Sequence, residues 1–190
     1  MNKRRNLKRS FVAIAWSVLS AAISAAPAAS DQAALQAARN QYKAGNYSAA
    51  IASLQPLALQ VGASGEVYDL VGRCYYELRD YDNAVAFGEK AVAANPTNSV
   101  FHDWLGRSYG GRADRDHSFS AAKSVKKEFQ TAVNLDPSNI EARRDLEEYD
   151  LDAPWIVGGD KSEALMQVEA IAAINPVQGH LARAEYDRNQ

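Results

Sequence analysis

Three arginines, Arg39, Arg73 and Arg107, recur at intervals of 34 residues. A guanidinium is always charged and can hold a carboxylate through two parallel N–H bonds, so a row of them is chemistry for anions. Four residues before them stand Leu35, Asp69 and Asp103, and three residues after them Tyr42, Tyr76 and Gly110. On a helix both offsets fall on the arginine's own face, so one shared register lays these residues in parallel ladders. Two readings compete. In the first, Asp69–Arg73 and Asp103–Arg107 are surface pairs worth about 0.3–0.5 kcal/mol each. In the second, the ladders line a peptide-binding groove, with arginine forks for carboxylates and tyrosines as rigid contact area.

Residues for covalent or metal chemistry are sparse or badly placed. His102, His117, His180 and the single cysteine, Cys74, supply neither a Cys-rich zinc site nor a histidine metal centre, and no cofactor motif is present. Gly158-Gly159-Asp160-Lys161-Ser162 echoes the end of a phosphate-binding loop, but the required glycine-to-lysine order is missing. It reads better as a helix start, with Asp160 as N-cap and Glu163 as its capping-box partner. Asp116-His117-Ser118 holds triad residue types, yet adjacency in sequence is not triad geometry, and His117 reads as a loop residue. Glu147-Glu148 reads as a solvated face, and Cys74 as a small buried apolar residue. No enzymatic activity is expected.

Composition narrows the class. With 47% hydrophobic and 23% charged residues, the chain is neither collagenous nor a disordered acidic tail. Its net charge of -2 hides an asymmetry: residues 1–28 carry five positive charges and no acid, leaving 16 basic against 23 acidic residues beyond them. An acidic body argues against nucleic acid as a partner, because that footprint is basic.

The elements that must position the arginines show in a repeat. The chain reads Tyr68-x2-Val71-Gly72-x2-Tyr75, then Tyr81-x2-Ala84, Ala91 and Pro96; it resumes as His102-x2-Leu105-Gly106-x2-Tyr109, then Phe129, Ala132 and Pro137. Upstream, Gly45-Asn46-Tyr47-x2-Ala50 aligns with Arg79-Asp80-Tyr81-x2-Ala84 at a spacing of 34. These runs resemble the tetratricopeptide repeat family over about residues 31–176. The resemblance implies an all-α solenoid of about four helix pairs, with repeats near 31–64, 65–98, 99–139 and 140–176 and a capping helix over 177–190. Small residues such as Gly72 and Gly106 let paired helices approach, and Pro96, Pro137 and Pro176 turn the chain out of the second helices of units two to four, with Gly62 where the first unit's proline is expected. Pro56 is expected to kink a helix over 47–60, and Leu181 and Tyr186 are expected to face inward from the cap.

In that family the first helix of each pair lines the concave face, so the resemblance puts Arg39, Tyr42, Asp69, Arg73, Tyr76, Asp103 and Arg107 in a groove. Chaperone-adaptor members grip a C-terminal carboxylate with Lys and Asn; here arginine stands at the Asn position and Leu or Asp at the Lys position, so that clamp does not carry over. Units three and four hold seven and five extra residues, within 110–120 and 152–159. Both are expected as enlarged loops, which makes Arg112, Arg115 and Trp155 contact candidates. Similar turns occur in small exported bacterial tetratricopeptide proteins.

The first 28 residues read as an address. Five charges precede an apolar run, Phe11 to Ile23, and the small-residue site Ala26-Pro27-Ala28. The run is too short and too rich in Ala and Ser for a span of ~20 apolar residues. No cysteine marks a lipoprotein, and Arg4-Arg5 resembles a twin-arginine signal only loosely, which favours the general secretory route. The expectation is therefore a signal peptide over 1–28 and a solenoid over 29–190: a periplasmic or secreted monomer that binds a protein or peptide. The alternatives are a structural subunit of an envelope assembly and a receptor for a small anion.

Overall fold

The computed structural model describes residues 29–189; the signal peptide expected over 1–28 lies outside the described residues. Among the described residues are α1 (Ala29–Lys43), α2 (Tyr47–Ala58), α3 (Gly65–Glu77), α4 (Tyr81–Ala94), α5 (Ser99–Asp116), α6 (Phe119–Leu135), α7 (Ile140–Asp152), α8 (Lys161–Ile174) and α9 (Pro176–Arg188), with a 3-10 turn at Trp155–Val157. Successive helices pack as hairpins, α1 with α2 through α7 with α8, and α9 closes on α8. The first helices also pack on one another, α1 on α3, α3 on α5 and α5 on α7, which makes them the inner row. This is the expected all-α solenoid. None of the described helices is long and apolar enough to cross a membrane.

Local chemistry explains the boundaries. From α3 onward every helix begins on a Ser, Asp or Asn (Ser64, Asp80, Asn98, Ser118, Asn139, Asp160, Asn175) whose side chain accepts from an N–H of the first turn. Each such cap is worth about 1 kcal/mol. Close approach within pairs rests on glycine. A Cβ on Gly72 would lie 3.3 Å from both Ala84 O and Gly88 N, and one on Gly106 would lie 2.5 Å from the Phe129 ring. Leu54, Val71, Cys74, Leu146 and Ile171 are fully enclosed between the layers. Burial pushes the Cys74 thiol up to about 12, so it is an inert packing residue.

Several expectations are corrected. The extra residues of unit three do not form a loop: α5 runs on to Asp116, and the chain reverses at His117 (φ 51°) and Ser118. Gly110 and Gly111 stay helical despite a cost of about 1 kcal/mol per glycine. Gly111 lies against the Tyr81 ring, where a Cβ would come within 2.3 Å. Arg112 and Arg115 are therefore helical residues; Arg112 lies over the Tyr109 ring, and Arg115 reaches Asp82 of α4 at 3.0 Å. The connection after α7 is an enlarged turn as expected, but Val157 packs inward while Trp155 is 85% exposed. Pro56 lies in the last turn of α2, which ends two residues later at Ala58. On α9 the buried face is Gly179, Ala182 and Tyr186, at 3.6-residue spacing, and Leu181 points outward. Asp160 caps α8 through Ser162 N–H, but Glu163 turns away from it to Lys126.

Candidate functional site

The inner row brings the three arginines onto adjacent helices and gives each a carboxylate. Arg39 Nη2 donates to Glu66 at 2.7 Å, and Arg73 Nη2 lies 2.6 Å from Asp69. Arg107 meets Asp103 and Glu141, each at 3.4 Å, and its Nε donates to Asp145. The aspartates are not surface residues: Asp69 and Asp103 are 8% and 3% exposed. Burial, partly offset by Arg73, pushes Asp69 up to about 6, and burial with the neighbouring Asp145 pushes Asp103 up to about 8. Around Arg107 burial works against the charge, but Asp145 and Asp103 outweigh it and raise its pKa. The row is thus an ion network in which each arginine already faces at least one acid.

Aromatic rings fill the space between the arginines. The guanidiniums of Arg73 and Arg107 sit 4.6 and 4.7 Å from the Trp104 ring centre, on adjoining helices, as cation–π contacts. Tyr76 meets Trp104 and Tyr81 edge-on at 5.8 and 5.7 Å. Tyr42 donates its hydroxyl to Glu77 at 3.0 Å, and burial with that partner raises its pKa. Beyond the rings opens a cleft of about 560 Å³, lined by Tyr76, Tyr81, Val125, Phe129, Tyr149 and Pro154 among others. It shares Arg107, Asp145, Glu148 and Asp152 with a second, acidic cleft of about 320 Å³ between α7 and α9.

The structure joins Arg73, Tyr76 and Arg107 into one surface, with Asp69 and Asp103 buried beneath the arginines, and places Arg39 and Tyr42 at its α1 end. Arg112 and Arg115 are on the α5 extension, and Trp155 stands on the tip beyond α7. Sequence reasoning missed Trp104, Asp145 and the acids of α7. One signal was available: Glu141 follows Arg107 by 34 residues, so the period that defines the row also reverses its sign in unit four. Glu147, read from sequence as solvated, is 3% exposed and lines the acidic cleft. Among the described residues no three His, Cys, Asp or Glu side chains converge as a metal site requires.

Fold and inner row together define an all-α solenoid of helix pairs, packed like those of solved tetratricopeptide repeat structures. Residues 65–98 match the tetratricopeptide repeat family. Among solved structures the chain is similar to TTC0263, a thermophilic TPR protein of Thermus thermophilus, at 16% identity and a TM-score of 0.66, covering 82% of this chain and 80% of that one. It is similar to MamA at 17% identity and a TM-score of 0.60, covering 82% and 81%, and to the Arabidopsis OM64 TPR domain at 14% and 0.55, covering 68% and 98%. These identities carry the fold alone. No curated protein sequence matches the chain.

Proposed function

We propose that the protein is a scaffold that holds a segment of a protein partner along the inner row of α1, α3, α5 and α7. The observation that carries this reading is the continuous surface from the Arg73–Trp104–Arg107 stack into the 560 Å³ cleft. Stacked guanidiniums and rings are rigid, so little ordering entropy is lost when a segment lies on them. Charge reversal of Arg107 does not test this cleanly, since it would strand Asp103 and Asp145 without a cation and unfold the site. A photocrosslinking residue at exposed Glu148, beside the cleft, is the better probe. Partner adducts should form there and not at exposed Met166 on α8. Adducts confined to Met166, or to a crosslinker at Trp155, would move the site to the outer face and favour the structural-subunit reading.

We also infer that residues 1–28 direct export, so that the mature chain works in the periplasm or outside the cell. The basic start, short apolar run and Ala26-Pro27-Ala28 site support this. Terminal sequencing of the protein from its native cells should read Ala29 or Asp31 first. Soluble protein that retains Met1 would overturn the inference.

A further inference from the structure

The 320 Å³ cleft between α7 and α9 differs in kind from the rest of the inner row. Glu141, Asp145, Glu147, Glu148 and Asp152 of α7 and Glu185 of α9 border it, against Arg107 and Arg144 as the cations of its lining. Both arginines are already engaged, Arg107 by its three acids and Arg144 by Glu185 at 2.7 Å. A surplus of negative charge remains across the cleft, where low-dielectric walls strengthen its field.

Glu147 is the decisive residue. It is 3% exposed, lines the cleft, and its Oε1 is buried without a hydrogen-bond partner. A buried acceptor left without a donor is a defect that most native cores avoid. Packing alone would be served by an apolar residue, as at neighbouring Leu146. Burial pushes the carboxyl up to about 7, and Glu185 adds to the shift. A cation carrying N–H donors would reverse both effects. The carboxylates do not converge as a metal site requires but are spread along the cleft, which suits an elongated cation.

We propose that this cleft receives a lysine or arginine side chain of the partner segment, with Glu147 as its anchor. The assignment rests on the inner-row reading above and adds the charge of the ligand. The adjoining cleft, with Val125, Phe129 and Pro154 in its lining, takes an apolar residue of the same segment. The groove thus selects a basic and apolar segment, whereas the arginine spacing alone pointed to an acidic one.

The test uses blocked peptides Ac-Gly-Leu-Gly-X-Gly-amide with X as Lys, Arg, norleucine or Glu, titrated to millimolar concentration and followed by amide NMR shifts of α5, α7 and α9. Lys and Arg peptides should bind at least fivefold more tightly than norleucine, and the Glu peptide weakest. Glu147→Gln keeps the shape and should bring Lys down to the norleucine level; the norleucine peptide makes the same comparison on unaltered protein. Equal affinity for Lys and norleucine, or a Lys preference that survives Glu147→Gln, overturns the proposal while leaving the groove a peptide site. Absence of shifts on these helices with all four peptides overturns both readings. Tighter binding of 1,4-diaminobutane than of the Lys peptide would reassign the cleft to a free amine and overturn the side-chain assignment.

Discussion

Replacing Lys126 by methionine should destabilise the protein by roughly 3–5 kcal/mol, the range for removing one partner of a buried ion pair. Methionine keeps most of the apolar stem, so the loss isolates the ammonium. Its Nζ donates to Gly158 O and to Glu163 Oε2 and lies 2.9 Å from Asp150 Oδ1. It therefore joins α6 to α7, to the turn after it and to α8. The Asp150 side chain is fully buried, and without Lys126 it has no cation. Burial already pushes its carboxyl up to about 6 with Lys126 in place. In the variant that pKa rises further, so the folded state holds a proton that the unfolded chain releases near pH 4. The deficit should be smaller at pH 5 than at pH 8. Adding Asp150→Asn should recover part of the loss at pH 8 and little at pH 5. Urea unfolding of wild type and both variants at the two pH values checks this; an equal deficit at both would show that Asp150 is not the stranded charge.

Gly179→Ala should lower stability by about 1–3 kcal/mol through overpacking, even though alanine is the better helix former by about 1 kcal/mol. A Cβ at Gly179 would lie 2.3 Å from Ala172 Cα and 2.9 Å from its backbone nitrogen. Backbone cannot rotate away, so α9 must lift from α8 and expose Ala182 and Tyr186. Gly72→Ala meets its nearest neighbours at 3.3 Å and should cost less. Melting temperatures of the two variants should fall in that order. A stabilised Gly179→Ala protein would show that α9 does not pack in this register.

How far the chain can be read from its letters depends on where the cause of each feature lies. The helix pairs were legible because their causes are local and repeated: Gly72 and Gly106 three residues before a tyrosine, and Pro96, Pro137 and Pro176 after the second helices of units two to four. The α5 extension was not. Gly110-Gly111 reads as a turn, and what keeps it helical is the Tyr81 ring, distant in sequence and in contact only after folding. The arginine row was legible as a row, since spacing alone defines it. Its neutralisation was legible in part: Asp69 and Asp103 stand four residues before Arg73 and Arg107, but Glu66, Glu141 and Asp145 lie on the next inner helix. Glu147 differs from Glu148 by one helical step of about 100°, enough to separate a buried carboxylate from a solvated one.

The overhang of α5 has a mechanical consequence. In a stack of repeats, resistance to bending resides in the joints between neighbours, and each joint contributes its own term. The joint between the second and third pairs carries two fastenings beyond the ordinary helix packing: Tyr81 set against the bare backbone of Gly111, and Arg115 latched onto Asp82 at 3.0 Å. Both lie at the tip of the long pair, where leverage about the joint is greatest. The Arg73–Trp104–Arg107 stack, which bridges α3 and α5, spans this same fastened joint.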